Sequence, residues 1–153
     1  SPLTAENLYQ AMLPHDIGKS LLPLHIWDTV EKPENEIKKL RRSHTELGIN
    51  ITDEVLGYIN HPFIALMKDI MLNHHEQMDG GGYLGKNGTE LSTPVRLACI
   101  CESFDGYSIR RHHFGERDIS IPGVLKRMRE EKGEAIYDMA LFEPFAEMKM
   151  KEV

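Results

Sequence analysis

The sequence predicts an all-α fold of about six to eight helices. Three observations predict it. Few stretches alternate apolar and polar residues with the period of two that a half-buried strand needs. Apolar residues recur instead at spacings of three and four. Cap residues, first-turn prolines and closing glycines bracket these stretches as they bracket helices. At 153 residues the chain suits one domain, residues 1–153. A chain of this length buries about two thirds of its unfolded surface and needs no disulfide or structural metal to fold.

The first helix is expected from about Ala5 to Leu13, with Thr4 as N-cap and Glu6 in the first turn. Pro14 ends it, and His15-Asp16-Ile17-Gly18-Lys19 follows, then a loop or short helix around Pro23 to Thr29. Pro33 opens the next helix, where Ile37, Leu40, His44 and Leu47 fall on one face and Gly48 marks the end. Thr52 is expected to cap a short helix carrying Val55 and Ile59. Pro62 opens another, with Phe63, Met67, Ile70 or Met71, and His74 on one stripe. Between Asp79 and Gly88, five glycines rule out a helix and leave little side chain to hold the backbone, so a mobile loop is expected. Thr93-Pro94 starts a helix on which Val95, Ala98, Glu102 and Asp105 share a face. A polar stretch from Arg110 to Asp118 precedes an amphipathic helix around Pro122 to Glu131, and a last helix covers Tyr137 to Met148.

Composition excludes some functions. A net charge of -6 argues against a general DNA or RNA binder, which shows a basic face. It leaves a small phosphate ligand open, because a bound dication reverses the local field. Cys99 and Cys101 are too close for an ordinary disulfide loop and fit a reduced, cytoplasmic protein. No apolar run approaches the roughly 18 residues of a membrane span, and no signal peptide is visible. Ser1 is not an initiator Met, so the chain is expected to be part of a longer protein or to lack an upstream helix.

Four signals carry chemistry. His15-Asp16 follows an apolar helix and precedes Gly18-Lys19; taken alone, such a dipeptide is more often a solvated pair. His44 lies on an apolar helix face, where a lone histidine is more often a satisfied core residue. His74-His75-Glu76 ends an apolar helix just before the glycine loop, where imidazoles also suit the helix dipole. Glu102 sits on an apolar stripe, where a carboxylate needs a metal or a cation such as Arg96 or Arg111. Together they place four histidines and at least two carboxylates at helix ends or buried faces. Mixed imidazole and carboxylate donors suit iron, manganese or zinc. The surplus over one tetrahedral ion suggests two metals, which suits phosphoester hydrolysis by a bridging hydroxide.

The order His15-Asp16-Ile17-Gly18-Lys19, His44, His74-His75-Glu76, Asp79-Gly80-Gly81-Gly82-Tyr83 resembles the HD-GYP domain, a bacterial branch of the HD phosphohydrolases. The likeness continues through Arg96, Glu102-Ser103-Phe104-Asp105, Arg111, Gly133 and Tyr137-Asp138 and spans nearly the whole chain. It implies a single all-helical HD-type domain and a phosphodiesterase that hydrolyses cyclic di-GMP to the linear dinucleotide or GMP. It implies two or three divalent metals, commonly iron or manganese, on His15, Asp16, His44, His74, His75 and Glu102, with Asp16 bridging two of them. Lys19 would reach a scissile phosphate oxygen, Arg111 a second phosphate, and Gly82 and Tyr83 would belong to a lip beside the nucleotide. The family usually adds a histidine from a helix upstream of HDIGK, has aspartate where this chain has Glu102, and ends its lip with proline where this chain has Leu84. Two alternatives stay open: a weakly active or inactive signalling module that binds metal or nucleotide, and an HD phosphohydrolase acting on another nucleotide. A fused or partner regulatory domain and a homodimer are compatible with either; contact with a membrane is not expected from this chain.

Overall fold

The computed structural model describes residues 4–27, 33–110, 115–131 and 133–153. Among these the chain forms eight α-helical segments and no strand, apart from an isolated antiparallel bridge between Asp79 and Asn87. They fall into two compact units, Ser1–His74 and His75–Val153. None of the described helices is long and apolar enough to cross a membrane.

In the first unit α1 spans Ala5–Met12, and Thr4 caps it by accepting the Asn7 N–H at 3.1 Å. Two short 3-10 segments follow, Ile17–Leu21 and Leu24–Ile26. Then come α2 (Asn35–Arg42), α3 (His44–Leu56) and α4 (Pro62–Asn73). Pro62 takes the first turn of α4 as expected, and the His61 ring caps it by accepting the Phe63 N–H at 3.1 Å. Met67, Ile70, Met71 and His74 are buried along α4, as the stripe predicts.

Residues 33–59 differ from the sequence expectation. The predicted helix from Pro33 to Gly48 is broken at Ser43, whose N–H and hydroxyl both turn back onto the Leu40 carbonyl, at 3.2 and 2.7 Å. Such local bonding competes with helix continuation. His44 therefore opens α3 rather than sharing a face with Leu40, which is 40 % exposed. Gly48 and Thr52 do not end or cap anything; both lie inside α3. Thr52 is buried, with its hydroxyl donating to the Gly48 carbonyl at 2.9 Å. Val55 is exposed, and Ile59 lies beyond the helix end.

Gly48 is kept in a helix because two elements approach it. A Cβ there would stand 2.7 Å from Met71 Sδ on α4. From the other side, Gly18 of the first 3-10 segment packs on the α3 backbone, where any Cβ would overlap the His44 carbonyl and the Gly48 amide. The glycine after His15-Asp16 thus lets the segment lie directly on the turn that carries His44.

In the second unit the glycine loop leads to α5 (Thr93–Ser108), α6 (Ile121–Glu130), the single turn α7 (Gly133–Ile136) and α8 (Met139–Met150). Ser92, Ser120 and Asp138 cap α5, α6 and α8 through their side chains. The Asp138 cap explains why the last helix starts two residues later than predicted. The core of this unit joins Ile100, Val124, Leu125, Met128, Tyr137, Phe142 and Ala146. Each large member contributes about 1.5–3 kcal/mol by leaving water. On α5, Val95 and Ala98 are buried as predicted and Glu102 is half-buried, but Asp105 is exposed, so the shared face stops short of it.

Candidate metal centre

Three histidines of the first unit share one device. His15, at the turn after α1, places Nδ1 2.6 Å from the Met12 carbonyl oxygen. His44, at the start of α3, places Nδ1 2.6 Å from the Arg41 carbonyl. His74, at the end of α4, places Nδ1 3.1 and 3.0 Å from the Ile70 and Met71 carbonyls. A carbonyl oxygen can only accept, so each Nδ1 carries the proton and each Nε2 presents its lone pair. Helix geometry supplies all three partners, because each carbonyl belongs to the residue three or four positions earlier. Metal-binding histidines are commonly oriented in this way.

The lone pairs converge on Asp16. Its Oδ1 lies 3.1 Å from His44 Nε2 and 3.6 Å from His74 Nε2, and those two nitrogens are 3.4 Å apart. Asp16 Oδ2 is 3.4 Å from His15 Nε2 and pairs with the Lys19 ammonium. His44 and His74 are each 1 % exposed. Burial alone would raise the Asp16 carboxyl; any proton that His44 or His74 Nε2 carries toward Oδ1, together with the Lys19 ammonium on Oδ2, outweighs it and holds the group well below the usual carboxylate range. Asp16 is therefore an anion, and its Oδ1 is buried with no hydrogen-bond partner assigned among the described residues.

This arrangement tests whether a metal fits. An anionic oxygen facing two imidazole lone pairs at such distances is repulsive unless something positive sits among them. A second proton on one imidazole would serve, but three rings that all turn Nε2 inward make a better cage for a divalent cation. The donor set, imidazole plus carboxylate, suits a first-row transition metal. In the second unit, burial pushes the Cys99 thiol up to about 12 and raises Cys101 as well, and neither is joined in a disulfide.

Sequence reasoning did not single out Trp27 or Arg41, which complete this end of the unit. The Trp27 ring meets His44 edge to face at 6.1 Å, and Lys19 Nζ and the Arg41 guanidinium lie 5.5 and 5.6 Å from its centre. Arg41 also donates from Nε to the Ile26 carbonyl at 2.7 Å. The one available signal was that Trp27 is the chain's single tryptophan.

The remaining expected site residues lie in the second unit. His75 stacks on Tyr83, with ring centres 4.5 Å apart at 28°. Gly82 packs against the His75 and Glu76 backbone. The loop itself is tied down: Glu76, 2 % exposed, accepts the Leu84 and Lys86 N–H groups at 2.7 and 2.8 Å. The expectation of a loop with little to hold it overlooked this buried carboxylate. Glu102 is half-buried on α5. The Arg96 guanidinium, one cation considered for it, pairs instead with Asp138 at 2.8 Å. Arg111 lies outside the described residues.

An HD domain family model matches residues 1–141. The chain is 27 % identical over 128 residues to a 3'3'-cGAMP-specific phosphodiesterase 2 of Vibrio cholerae, covering 83 % of this chain and 23 % of that protein. It is 28 % identical over 145 residues to a cyclic di-GMP phosphodiesterase of Pseudomonas aeruginosa, covering 94 % of this chain and 33 % of that one. A cyclic di-GMP phosphodiesterase of Thermotoga maritima is 33 % identical over 98 residues, 63 % of this chain and 26 % of its own length. The chain thus spans a third or less of these curated relatives. With the His15-Asp16 pair, His44 and His74 gathered as the motif requires, the chain belongs to the HD domain family, of the HD-GYP type that its glycine loop marks.

Proposed function

We propose that this domain is a metal-dependent phosphodiesterase that hydrolyses cyclic di-GMP to the linear dinucleotide or GMP. The observation that carries the reading is the convergence of three Nε2 lone pairs on the Asp16 carboxylate. The names of the relatives support the substrate class. His75 and Glu102 are proposed as further ligands, giving two or three divalent ions, iron or manganese, with Asp16 bridging. When bound, such ions supply Lewis-acid stabilisation of the charge that builds on the phosphoryl oxygens.

The chain's own groups do the rest. The carbonyl bonds at Nδ1 hold the three imidazoles in one tautomer and one orientation, so no reorganisation is needed when substrate arrives. Lys19 rests on the Asp16 carboxylate and beside the Trp27 ring, and a phosphate oxygen can replace that carboxylate oxygen as its partner. Gly82 and Tyr83 are proposed to face the nucleotide, and Arg111 to meet a second phosphate. Cys99 and Cys101, not joined in a disulfide, accord with a reducing compartment such as the cytoplasm. A homodimer and a regulatory domain on the same polypeptide or on a partner are further parts of this reading.

The test is turnover of cyclic di-GMP by protein loaded anaerobically with iron or manganese, against 3'3'-cGAMP and simple nucleoside monophosphates. Linear dinucleotide or GMP from cyclic di-GMP supports the reading. Turnover of 3'3'-cGAMP alone moves the substrate to the mixed cyclic dinucleotide, and turnover of monophosphates alone defeats the cyclic-dinucleotide assignment. In the same assay Lys19→Ala should lower turnover on the order of a hundredfold, the size typical of losing one charge-stabilising donor, with metal content unchanged. Loss of metal instead would make Lys19 structural.

A further inference from the structure

Glu76 stands beside two expected site residues without an assigned role. It is almost wholly buried, and each of its carboxylate oxygens accepts a backbone amide. Oε1 takes the Leu84 amide at 2.7 Å and Oε2 the Lys86 amide at 2.8 Å, eight and ten residues ahead in the chain. A buried carboxylate is tolerated when charge-assisted bonds satisfy it, and here both come from the backbone of the glycine loop. The loop is shaped to reach it. Gly80 and Gly85 take left-handed conformations, with φ of 80° and 75°, where other residues are strained. Gly82 has no room for a Cβ, which would strike the Glu76 Cα and lie 2.7 Å from the His75 carbonyl oxygen. The base is closed by the Gly88 amide on the Met78 carbonyl at 3.0 Å.

Between the Gly82 contact and the first clamped amide sits Tyr83, whose ring stacks on His75 at 4.5 Å. Two consecutive residues, His75 and Glu76, thus grip the loop twice, one by ring and one by carboxylate. We propose that Glu76 is a positioning residue that fixes the 82–86 loop through two amides, so that Tyr83 braces the His75 imidazole in the orientation a metal ligand needs. The loop and the ligand then form one mechanical unit, and whatever displaces the loop also loosens His75. This deepens the proposed function and rests on His75 being a ligand there, but its structural half stands without metal.

The experiment has an arm for each half. In metal-free protein, Glu76→Gln keeps the side chain's size but puts an NH2 group against one of the two amides, so two donors face each other. Amide exchange at Leu84 or Lys86 should quicken by about tenfold or more, and the His75 ring protons should lose the ring-current shift that Tyr83 imposes. Tyr83→Ala should remove the same shift while leaving the Leu84 and Lys86 amides protected, and it does not depend on the buried carboxylate variant folding. In the second arm, Mn(II) affinity should fall by about ten- to a hundredfold in each variant, the size expected when a ligand's support is removed. The double variant should lose little more than either single one. Protected amides and an unchanged His75 shift in Glu76→Gln would overturn the clamp. Additive losses of affinity would overturn the coupling to His75. Failure of the unmodified protein to bind Mn(II) sinks the metal reading alone, and the metal-free arm still decides the clamp.

Discussion

Asp16→Asn is expected to remove metal and turnover together, with turnover falling about a thousandfold or more, equivalent to about 4 kcal/mol of transition-state stabilisation. Asp16 is an anion on which the His15, His44 and His74 Nε2 atoms converge. Asparagine has nearly the same shape but carries no charge. Its amide can also donate to a neighbouring Nε2 lone pair, which carboxylate cannot. Metal-free Asp16→Asn should therefore be as stable as the parent or slightly more so. The lost Lys19–Asp16 ion pair subtracts little, because the Lys19 side chain is 34 % exposed and such pairs are worth about 0–1 kcal/mol. Elemental analysis and thermal melts of metal-free protein check both halves. Several kcal/mol of lost stability with metal content intact would make Asp16 a structural residue.

The second large effect is on folding. Gly18→Ala should destabilise metal-free protein by about 3 kcal/mol, at the upper end for forcing a methyl group into a packed site. The new Cβ would collide with the His44 carbonyl and the Gly48 amide, and neither backbone can swing aside as a side chain could. For a chain of this size that corresponds to a melting point lowered by roughly 10 °C. Gly48→Ala should cost less, because its nearest obstacle is the flexible Met71 thioether. Equal melting points for Gly18→Ala and the parent would show that the 3-10 segment does not sit directly on α3.

The helices that were legible in the sequence were those with strong punctuation. Thr4, Pro62 and the Thr93-Pro94 start each announce a helix by a side chain that satisfies backbone donors or by a ring that tolerates their loss. The region from Ser43 to Thr52 was not legible, because Gly48 and Thr52 look like punctuation and serve packing. Gly48 yields space to Met71 and Gly18, contacts that depend on residues far away in the chain. The candidate ligands were legible as a motif, and His15, Asp16, His44 and His74 do come together. What the motif could not give was the tautomer, which depends on where the backbone carbonyls lie. Nor could it give the work of Glu76, since a carboxylate that binds amides eight and ten residues ahead leaves no periodic trace.

The proposed metal centre stands on the lone pairs gathered on Asp16. It is tested most directly by counting metal per chain, in protein prepared without chelators from iron- and manganese-rich growth, and measuring cyclic di-GMP turnover on the same sample before and after chelation. At least one and up to three transition-metal ions per chain are expected, with turnover lost on chelation and restored by anaerobic return of iron or manganese. A chain free of metal, or turnover indifferent to its removal, would contradict it.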